Sequence, residues 1–250
     1  MANPETLNGK RVCLLTGASG TLGTAFCQLF RKRYHIAAVC RTRLPPVPSQ
    51  YSSVVDPLNP TDNYDPDPVF VIRADLFDKH QIQRVVELTL ARFGRIDLLV
   101  NAAVHSHWGP SVESNELIDT AAHQFEMNVL VPLKLSVIVA REFWRDRQRE
   151  NIAAHRNIVN VSSTAGLYVY PNSHQIVYSA SKAALNYLTF HLASEFRAFG
   201  VRVNAIAPNA FPSIISTQTV ANTIHRLDQE AVAGQILIVD AGGEALYRPE

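Results

Sequence analysis

The sequence has few of the features that mark several large classes of protein. Its only cysteines, Cys13, Cys27 and Cys40, lie in apolar stretches without CxxC spacing, so we expect buried thiols in a reducing cytoplasm and neither a disulfide framework nor a metal site. The formal net charge of +1 offers no strong field to nucleic acid or to an anionic membrane. No apolar run reaches the roughly 18 residues that span a bilayer, and the first residues lack the pattern of a secretory signal. We therefore expect a cytoplasmic protein that binds neither nucleic acid nor membrane.

The sequence does contain a regular alternation of short apolar runs with segments of helical periodicity. The apolar runs are typical of buried strands: RVCLLT, IAAVC, VFVIRA, IDLLVN, NIVNVS, VRVNAIA and QILIVD. The helical segments between them include residues 24–33, 79–93 and 125–149. Strands that alternate with helices pair in parallel through right-handed crossovers. We predict an α/β fold in which residues 1–250 form a single domain, a doubly wound, Rossmann-like parallel sheet of about seven strands with helices on both faces.

One connection departs from this alternation because it is rich in proline. The segment 44–69 contains seven of the 14 prolines. Proline lacks a backbone donor and clashes with the preceding helical turn, so we predict an irregular insertion in place of a crossover helix. Two interpretations of this insertion stay open: a surface excursion, and a cover over the adenine end of a ligand.

A glycine-rich turn follows the first predicted strand, in the stretch VCLLTGASGTLGTAF. Gly17, Gly20 and Gly23 permit a tight turn and close approach of the backbone, and the helix that follows presents free N–H groups to an anion. Any tight strand-to-helix turn could use three glycines. Their position after the first strand of an alternating chain favours a turn that binds the pyrophosphate of a dinucleotide.

The end of the second predicted strand carries cations in place of the acidic residue that commonly holds the 2′-hydroxyl of NAD. Arg41 and Arg43 lie there, with Thr42 between them. A 2′-phosphate needs a positive partner and would be repelled by a carboxylate. The pattern favours NADP (NADPH) as the cofactor, although solvated arginines are also common in loops.

A tyrosine and a lysine lie four residues apart in the stretch YSASK, at the start of a predicted helix. Positions i and i+4 share a face, so Tyr178 and Lys182 can point into one cleft. At about 4–5 Å and an effective dielectric constant of about 20, the ammonium would stabilise the phenolate by roughly 3–4 kcal/mol and lower the pKa of the phenol by about 2–3. Ser163 follows a predicted strand, where its hydroxyl could donate to a substrate carbonyl.

Taken in order, these motifs resemble the short-chain dehydrogenase/reductase family over essentially the whole chain. The shared landmarks are TGASGTLG, Arg41, ADL at 74–76, NAA at 101–103, Asn128, SSTAG, YSASK, NAIAP and GQILIVDAGG. Any one of them could arise by chance, but the ordered set is highly specific.

The resemblance implies a catalytic tetrad of Asn128, Ser163, Tyr178 and Lys182. Tyr178 would be the acid or base at the substrate oxygen, Ser163 would polarise the carbonyl, and Lys182 would tune the phenol and hold the nicotinamide ribose. Asn128 would hold a relay water through its backbone. Besides the three glycines and Arg41–Arg43, the predicted cofactor-binding residues are Tyr178, Lys182, Asp75 at the adenine, Asn101 on the central strand, Ser19, Thr21, Leu22, Leu76, Ala102, Ala103, Pro208, Asn209, Phe211 and Ser213.

Some positions depart from the family pattern. Thr21 stands where many relatives have a glycine, and Val104 adds a bulky side chain beside the cofactor crevice. The segment 209–217 resembles a shortened substrate lid, which predicts an open cleft. The candidate substrate contacts are Ser163, His105, Tyr168, Tyr170 and His174, although packing within the loops explains the last three equally well.

We predict an NADP-dependent oxidoreductase that transfers a hydride between the cofactor and a carbonyl or alcohol substrate, itself a small molecule, running as a ketoreductase with Tyr178 as the acid or base. The resemblance further implies a homodimer or homotetramer. One alternative keeps the fold but acts on an imine or a C=C bond, or as an isomerase or lyase. Another is a non-catalytic NADP(H)-binding regulatory or scaffold protein, which an intact Ser163–Tyr178–Lys182 set disfavours.

Overall fold

The computed structural model describes residues 9–52 and 67–248, which form one eight-stranded sheet flanked by helices. The strands are β1 (Arg11–Thr16), β2 (Tyr34–Cys40), β3 (Phe70–Arg73), β4 (Leu98–Asn101), β5 (Asn157–Val161), β6 (Arg202–Pro208), β7 (Ile236–Asp240) and β8 (Gly243–Leu246). The α-helices are α1 (Thr21–Phe30), α2 (Lys79–Phe93), α3 (Asn115–Phe125), α4 (Val131–Val139), α5 (Gln148–Ala153), α6 (Ile176–Phe196) and α7 (Thr217–Gln229).

The order of strands in the sheet is β3-β2-β1-β4-β5-β6-β7-β8, and β1 to β7 run parallel. The chain proceeds outward from β1 to β3, then returns across the sheet to β4 beside β1. The carboxyl ends of β1 and β4 therefore meet where the strand order reverses, which is where open α/β sheets bind ligands. This topology confirms the predicted doubly wound sheet with helices on both faces.

The eighth strand is the feature that the apolar runs did not predict. β8 pairs antiparallel with β7, with Ala245 opposite Ile238. Its four residues, GEAL, are all exposed, so no buried apolar run marked it. The Glu244 carboxylate accepts a hydrogen bond from the Thr223 hydroxyl at 2.6 Å and pairs with Arg226, which anchors this edge strand to α7.

The helix bounds match the prediction where capping residues mark both ends. α2 spans the predicted residues 79–93: the Asp78 side chain accepts from the backbone N–H of His80 at its start, and Gly94 ends it with a left-handed φ of 71°. α1 begins at Thr21, three residues before the predicted start, and Gly20 precedes it as a cap without a side chain.

The helical region predicted for 125–149 is longer and less regular than expected. It begins at Asn115, where the Ser114 side chain accepts from the backbone N–H of Leu117. Two π-helical turns, Glu126–Leu130 and Ala140–Trp144, flank α4. The apolar pattern of the sequence predicted the extent of a helical region and did not distinguish these π-helical turns from α-helix.

Alternate side chains of the parallel strands pack into two apolar layers, one on each face of the sheet. In β1, Val12 joins one layer and Cys13 the other. Trp144 is fully buried in the first layer, and its indole N–H donates to the Ile96 carbonyl at 2.9 Å. All three cysteines are buried, as predicted, and burial raises the pKa of the Cys27 thiol to about 12. None of the helices within 9–52 and 67–248 combines the length and apolar character needed to cross a membrane.

The proline-rich segment 44–69 is described only at its two ends. Residues 44–52 and 67–69 contain no helix, and Ser49 pairs with Val69 in a single parallel bridge. This agrees with the expected irregular connection for those residues. The interpretation as a cover over the adenine concerns residues 53–66 as well, and these lie outside the described residues.

Buried charges tie the amino ends of the strands to α7. The Asp228 carboxylate accepts from Arg11 Nε and Nη2 at 3.0 and 2.9 Å and from the Tyr34 hydroxyl at 2.9 Å. The Arg202 guanidinium lies 3.9 Å from the same carboxylate. Because Asp228 is fully buried, its removal leaves Arg11 and Arg202 without their counter-charge at the amino ends of the strands.

We expect Asp228→Ala to lower the free energy of unfolding by about 2–4 kcal/mol. This loss is slightly less than that for breaking a fully buried ion pair, because the Arg11 and Arg202 side chains are 22% and 13% exposed. Urea unfolding at neutral pH measures this difference. Asp119→Ala, at an exposed aspartate of α3, is the matched control and should change stability by less than about 0.5 kcal/mol. Equal losses in the two variants would contradict a structural role for Asp228.

Candidate active site

Two cavities lie at the carboxyl ends of the parallel strands. The first, which we call the Arg41 cavity, has a volume of about 320 Å³ and is walled by the segments that follow β1, β2, β3 and β4. Of the predicted cofactor-binding residues, its walls include Gly17, Ser19, Gly20, Arg41, Thr42, Arg43, Asp75, Leu76, Ala102 and Ala103. Predicted cofactor-binding residues from four separate segments of the sequence therefore come together in this cavity.

The glycine turn fits against the end of β4 because its first glycine has no side chain. Gly17 has a φ of 69°, and a Cβ built on it would lie 2.7 Å from the Ala102 carbonyl oxygen. A Cβ on Gly23 would lie 2.3 Å from the Gly17 carbonyl oxygen. These two glycines therefore serve close packing, while Gly20 faces the cavity.

The start of α1 is suited to an anion. Gly20 caps the helix without a side-chain hydrogen bond, and its first turn has no acidic residue. The backbone N–H groups of this turn are consequently available to a negative group. Two predicted contacts are only indirect: the Leu22 side chain is buried in the core, and Thr21 lines a neighbouring 620 Å³ cavity.

Exposed cations surround the outer part of the Arg41 cavity. Arg41 and Arg43 both line it, and neither guanidinium forms an ion pair or hydrogen bond within residues 9–52 and 67–248. Across the cavity, the Asp75 carboxylate accepts from the backbone N–H of Phe77 at 3.1 Å. The cavity thus offers two positive groups at the end of β2 and one carboxylate after β3.

His105 lies in the Arg41 cavity, and not in the substrate cleft where it was predicted. The His105 backbone N–H donates to Asn128 Oδ1, and the Asn128 amide donates to the His105 carbonyl, each at 2.9 Å. These two bonds hold the loop after β4 beside the cavity. Burial lowers the pKa of the His105 imidazole, with His123, Arg41 and His107 adding to the effect.

Two polar side chains fasten the ends of the central strands. The Thr16 hydroxyl accepts from the backbone N–H groups of Ala102 and Ala103 at 3.0 and 3.1 Å. Asn101, predicted to bind the cofactor, does not line the cavity; its amide donates to Asn160 Oδ1 at 2.8 Å on the next strand. Thr16 is absent from the predicted site, although a hydroxyl at the carboxyl end of a strand was a signal that could have found it.

The second cavity, which we call the Tyr178 cleft, has a volume of about 450 Å³. Ser163 follows β5 in extended backbone, and Tyr178 lies in the first turn of α6, so both reach the cleft from adjacent elements. The Ser163 and Tyr178 side chains line the walls of the same cleft. Ser163 Oγ accepts from the backbone N–H of Ala165 at 3.2 Å, which fixes its orientation.

The protonation of this pair differs from the prediction. Burial raises the pKa of Tyr178 above its ordinary value, and the hydrogen bond from Ser163 opposes this increase. The predicted lowering by Lys182 is not seen, because the Lys182 ammonium donates to the Val161 carbonyl at 2.8 Å and lies 5.7 Å from the phenol ring centroid. Burial also lowers the pKa of Lys182 to about 8, which reduces its positive charge.

Asn128 lies within the π-helical turn between α3 and α4 and is fully buried. Besides its two bonds to His105, its amide donates to the Ser181 hydroxyl at 2.9 Å. Since Ser181 precedes Lys182 on α6, Asn128 ties the loop after β4 to the helix that carries the tyrosine and lysine. The predicted water relay through its backbone stays a prediction.

The predicted substrate residues divide between two adjoining cavities. Tyr170 lines the Tyr178 cleft, whereas Tyr168 and His174 line a neighbouring 420 Å³ cavity. Trp108 was missed: its ring centroid lies 6.2 Å from that of Tyr178 in the same cleft. Trp108 lies three residues after His105, so its place in the loop after β4 was a signal that could have found it.

The segment after β6 forms part of the cleft and contains no helix. Residues 209–216 separate β6 from α7, and the assignment of 209–217 as a shortened substrate lid stays a prediction. Pro208, Asn209 and Phe211 line the Tyr178 cleft and not the Arg41 cavity, so their predicted cofactor contact is not evident. Ser213 is exposed and lines neither cavity.

Comparison with known proteins gives a family-level match. A family model described as short chain dehydrogenase matches residues 11–226. The crystal structure of a short chain dehydrogenase from Mycobacterium avium has a TM-score of 0.76 with this chain and 24% sequence identity, over 96% of this chain and 85% of that chain. At that identity the structural likeness concerns the fold alone.

Two relatives in sequence are oxidoreductases described as uncharacterized. YuxG of Bacillus subtilis is 25% identical over 210 residues, which cover 84% of this chain and 28% of that protein. A protein of Thermotoga maritima is 34% identical over 131 residues, which cover 52% of this chain and 48% of that protein. The chain therefore spans less than half of the length of either relative.

Since the Ser163 hydrogen bond opposes the effect of burial, we expect Ser163→Ala to raise the pKa of the Tyr178 phenol further. NMR titration of protein labelled at tyrosine Cζ measures this pKa, with Tyr178→Phe to assign the resonance. Ser173→Ala removes another hydroxyl of the cleft, one that donates to the Tyr170 carbonyl, and should leave the pKa unchanged. An unchanged or lower phenol pKa in Ser163→Ala would show that the bond does not act as described.

Proposed function

The chain belongs to the short-chain dehydrogenase family, and we propose that it is an NADP-dependent oxidoreductase that reduces a carbonyl compound to an alcohol. The observation that carries this proposal is that Ser163 and Tyr178 line one cleft, with the buried Lys182 ammonium 5.7 Å from the Tyr178 ring centroid. We further propose that residues 1–250 work as one catalytic domain.

The Arg41 cavity has the features that a dinucleotide needs. The uncapped start of α1 supplies N–H groups for a pyrophosphate, and Gly17 lets the chain reach the end of β4. Asp75 and Leu76 would border the adenine. When bound, the nicotinamide supplies a hydride to the carbonyl carbon in reduction, or accepts one in oxidation.

Charge at the end of β2 favours the phosphorylated cofactor. Arg41 and Arg43 would neutralise a 2′-phosphate, and Thr42 between them adds a hydroxyl donor. NAD-binding sites usually place a carboxylate at this position to hold the ribose hydroxyls. Here the carboxylate of the cavity, Asp75, comes from the segment after β3 instead.

The protonated form of Tyr178 is the one that reduction needs. A phenol whose pKa lies above its ordinary value stays protonated near neutral pH, so it can donate a proton to a carbonyl oxygen that has gained negative charge. Ser163 would donate a second hydrogen bond to the same oxygen. Oxidation of an alcohol needs the phenolate as base and is therefore disfavoured until the pH is alkaline.

Lys182 and Asn128 would act behind this pair. We assign to the Lys182 ammonium the binding of the nicotinamide ribose, and a pKa of about 8 leaves it mostly protonated near neutral pH. Asn128 would position Lys182 through its bond to Ser181. Neither residue lines the Tyr178 cleft or the Arg41 cavity, so both would act from behind the walls of the site.

Exposed apolar side chains support association with a second copy of the chain. Ile118 and Phe125 on α3, Leu130 after it, and Tyr187 on α6 are all exposed. Such side chains on neighbouring helices favour a homodimer or homotetramer. The three buried, unpaired thiols favour a reducing compartment such as the cytoplasm.

We expect Tyr178→Phe to lower kcat for carbonyl reduction by at least about 100-fold, because it removes the proton donor while keeping the ring. Steady-state kinetics with NADPH measure the loss, and the dissociation constant for NADPH, from its fluorescence, should change less than about threefold. Tyr187→Phe, at an exposed tyrosine of the same helix, is the control. In the parent, the rate of alcohol oxidation should rise with pH as the phenolate forms. Full turnover in Tyr178→Phe would refute the acid assignment.

We expect Arg41→Ala to weaken NADPH binding by about 10–100-fold, the effect of one charge-assisted hydrogen bond to phosphate, and to leave NADH binding nearly unchanged. Fluorescence titration of both cofactors measures this. Arg84→Ala removes an equal charge from α2, away from the cavity, and should affect neither. A parent protein that binds NADH more tightly than NADPH would overturn the cofactor assignment.

A further inference from the structure

The Tyr178 cleft is uncharged, in contrast to the Arg41 cavity. No Asp, Glu, Lys, Arg or His occurs among the described residues on its walls. The adjoining 420 Å³ cavity shares Tyr170 and Gln175 with it and adds a single such residue, His174. An anionic group of a substrate would lose its hydration here without gaining a counter-charge, which is unfavourable.

Aromatic rings stand around the phenol. Trp108 lies with its ring at 60° to that of Tyr178, and 60% of its surface is exposed at the cleft. Phe211 and Tyr170 line the same cleft. A large indole that is left uncovered beside an active phenol offers a stacking surface for a flat ring.

Neutral polar groups complete the walls. The Gln175 amide makes no side-chain hydrogen bond within residues 9–52 and 67–248, so its donor and acceptor are free for a ligand. The volume of about 450 Å³ lies within the range of roughly 300–1,000 Å³ typical of small-molecule sites, which suits two or three fused rings. The short segment 209–216 leaves the mouth of the cleft open to a substrate of that size.

We propose that the substrate is an uncharged, fused-ring aromatic ketone, whose aromatic ring packs on Trp108 while its carbonyl oxygen reaches Ser163 and Tyr178. This inference rests on the proposed function, since it takes the Ser163–Tyr178 pair as the carbonyl site. The uncharged walls exclude carboxylated and phosphorylated substrates, and Trp108 selects aromatic over saturated rings.

Calorimetric binding to the full chain saturated with NADP⁺ tests the substrate class without requiring turnover. The probes are 2-tetralone and 2-decalone, which place the carbonyl alike and differ in the aromatic ring. We expect 2-tetralone to bind about tenfold more tightly in the parent, and Trp108→Ala to reduce this ratio to less than about threefold. Trp108→Phe should restore part of it, and Val112→Ala, at a 95% exposed position that lines neither cavity, should retain all of it.

A second pair of probes tests the charge requirement: 6-carboxy-2-tetralone and its methyl ester. We expect the parent to bind the ester at least about tenfold more tightly than the acid. Ile214→Lys places a cation on the wall of the cleft at a residue that is 51% exposed, and should strengthen binding of the acid severalfold but not that of the ester. Misfolding cannot produce this gain.

The inference is overturned if 2-decalone binds as tightly as 2-tetralone, if the acid binds as tightly as the ester, if Trp108→Ala keeps the parent ratio, or if none of the four ketones binds. Turnover with NADPH is a separate measurement. Selective binding of 2-tetralone without consumption of NADPH would sustain the substrate class and refute the proposed reduction.

Discussion

The site depends first on the close approach between the turn after β1 and the end of β4. A side chain at Gly17 would collide with the Ala102 carbonyl at 2.7 Å, so this contact requires glycine. Thr16 fastens the same contact by accepting from two backbone N–H groups of the opposite segment. Because the strand order reverses between β1 and β4, this approach forms one wall of the Arg41 cavity and determines where α1 points its free N–H groups.

The two cavities at the carboxyl ends of the strands differ in the charge of the side chains that line them. The Arg41 cavity gathers Arg41, Arg43 and Asp75 from the ends of β2 and β3, whereas the Tyr178 cleft is built from hydroxyl, amide and aromatic side chains. A polyanionic cofactor and an uncharged substrate would thus be sorted by electrostatics before any specific contact forms. Asn128 connects the two cavities. Its side chain is hydrogen-bonded to His105, which lines the Arg41 cavity, and to Ser181, which precedes Lys182 on the helix that carries Tyr178.

Burial affects the protonation of Tyr178 and Lys182 more strongly than their mutual attraction does. It raises the pKa of the Tyr178 phenol and lowers that of the Lys182 ammonium, and each change favours the neutral form. A neutral phenol is the form that donates a proton, so the local environment suits an acid in reduction. The Ser163 hydrogen bond works in the opposite direction and keeps the phenolate accessible at higher pH.

The sequence by itself determined the doubly wound parallel sheet and the bounds of α2, because hydrophobic periodicity and capping residues act locally along the chain. It did not reveal β8, whose residues lack a buried apolar run, or the two π-helical turns that flank α4. Only the tertiary structure placed His105 with the cofactor-side residues, brought Trp108 beside Tyr178 and directed the Lys182 ammonium to the Val161 carbonyl. These outcomes depend on burial and on contacts between distant segments, and neither is encoded in the spacing of residues along one segment.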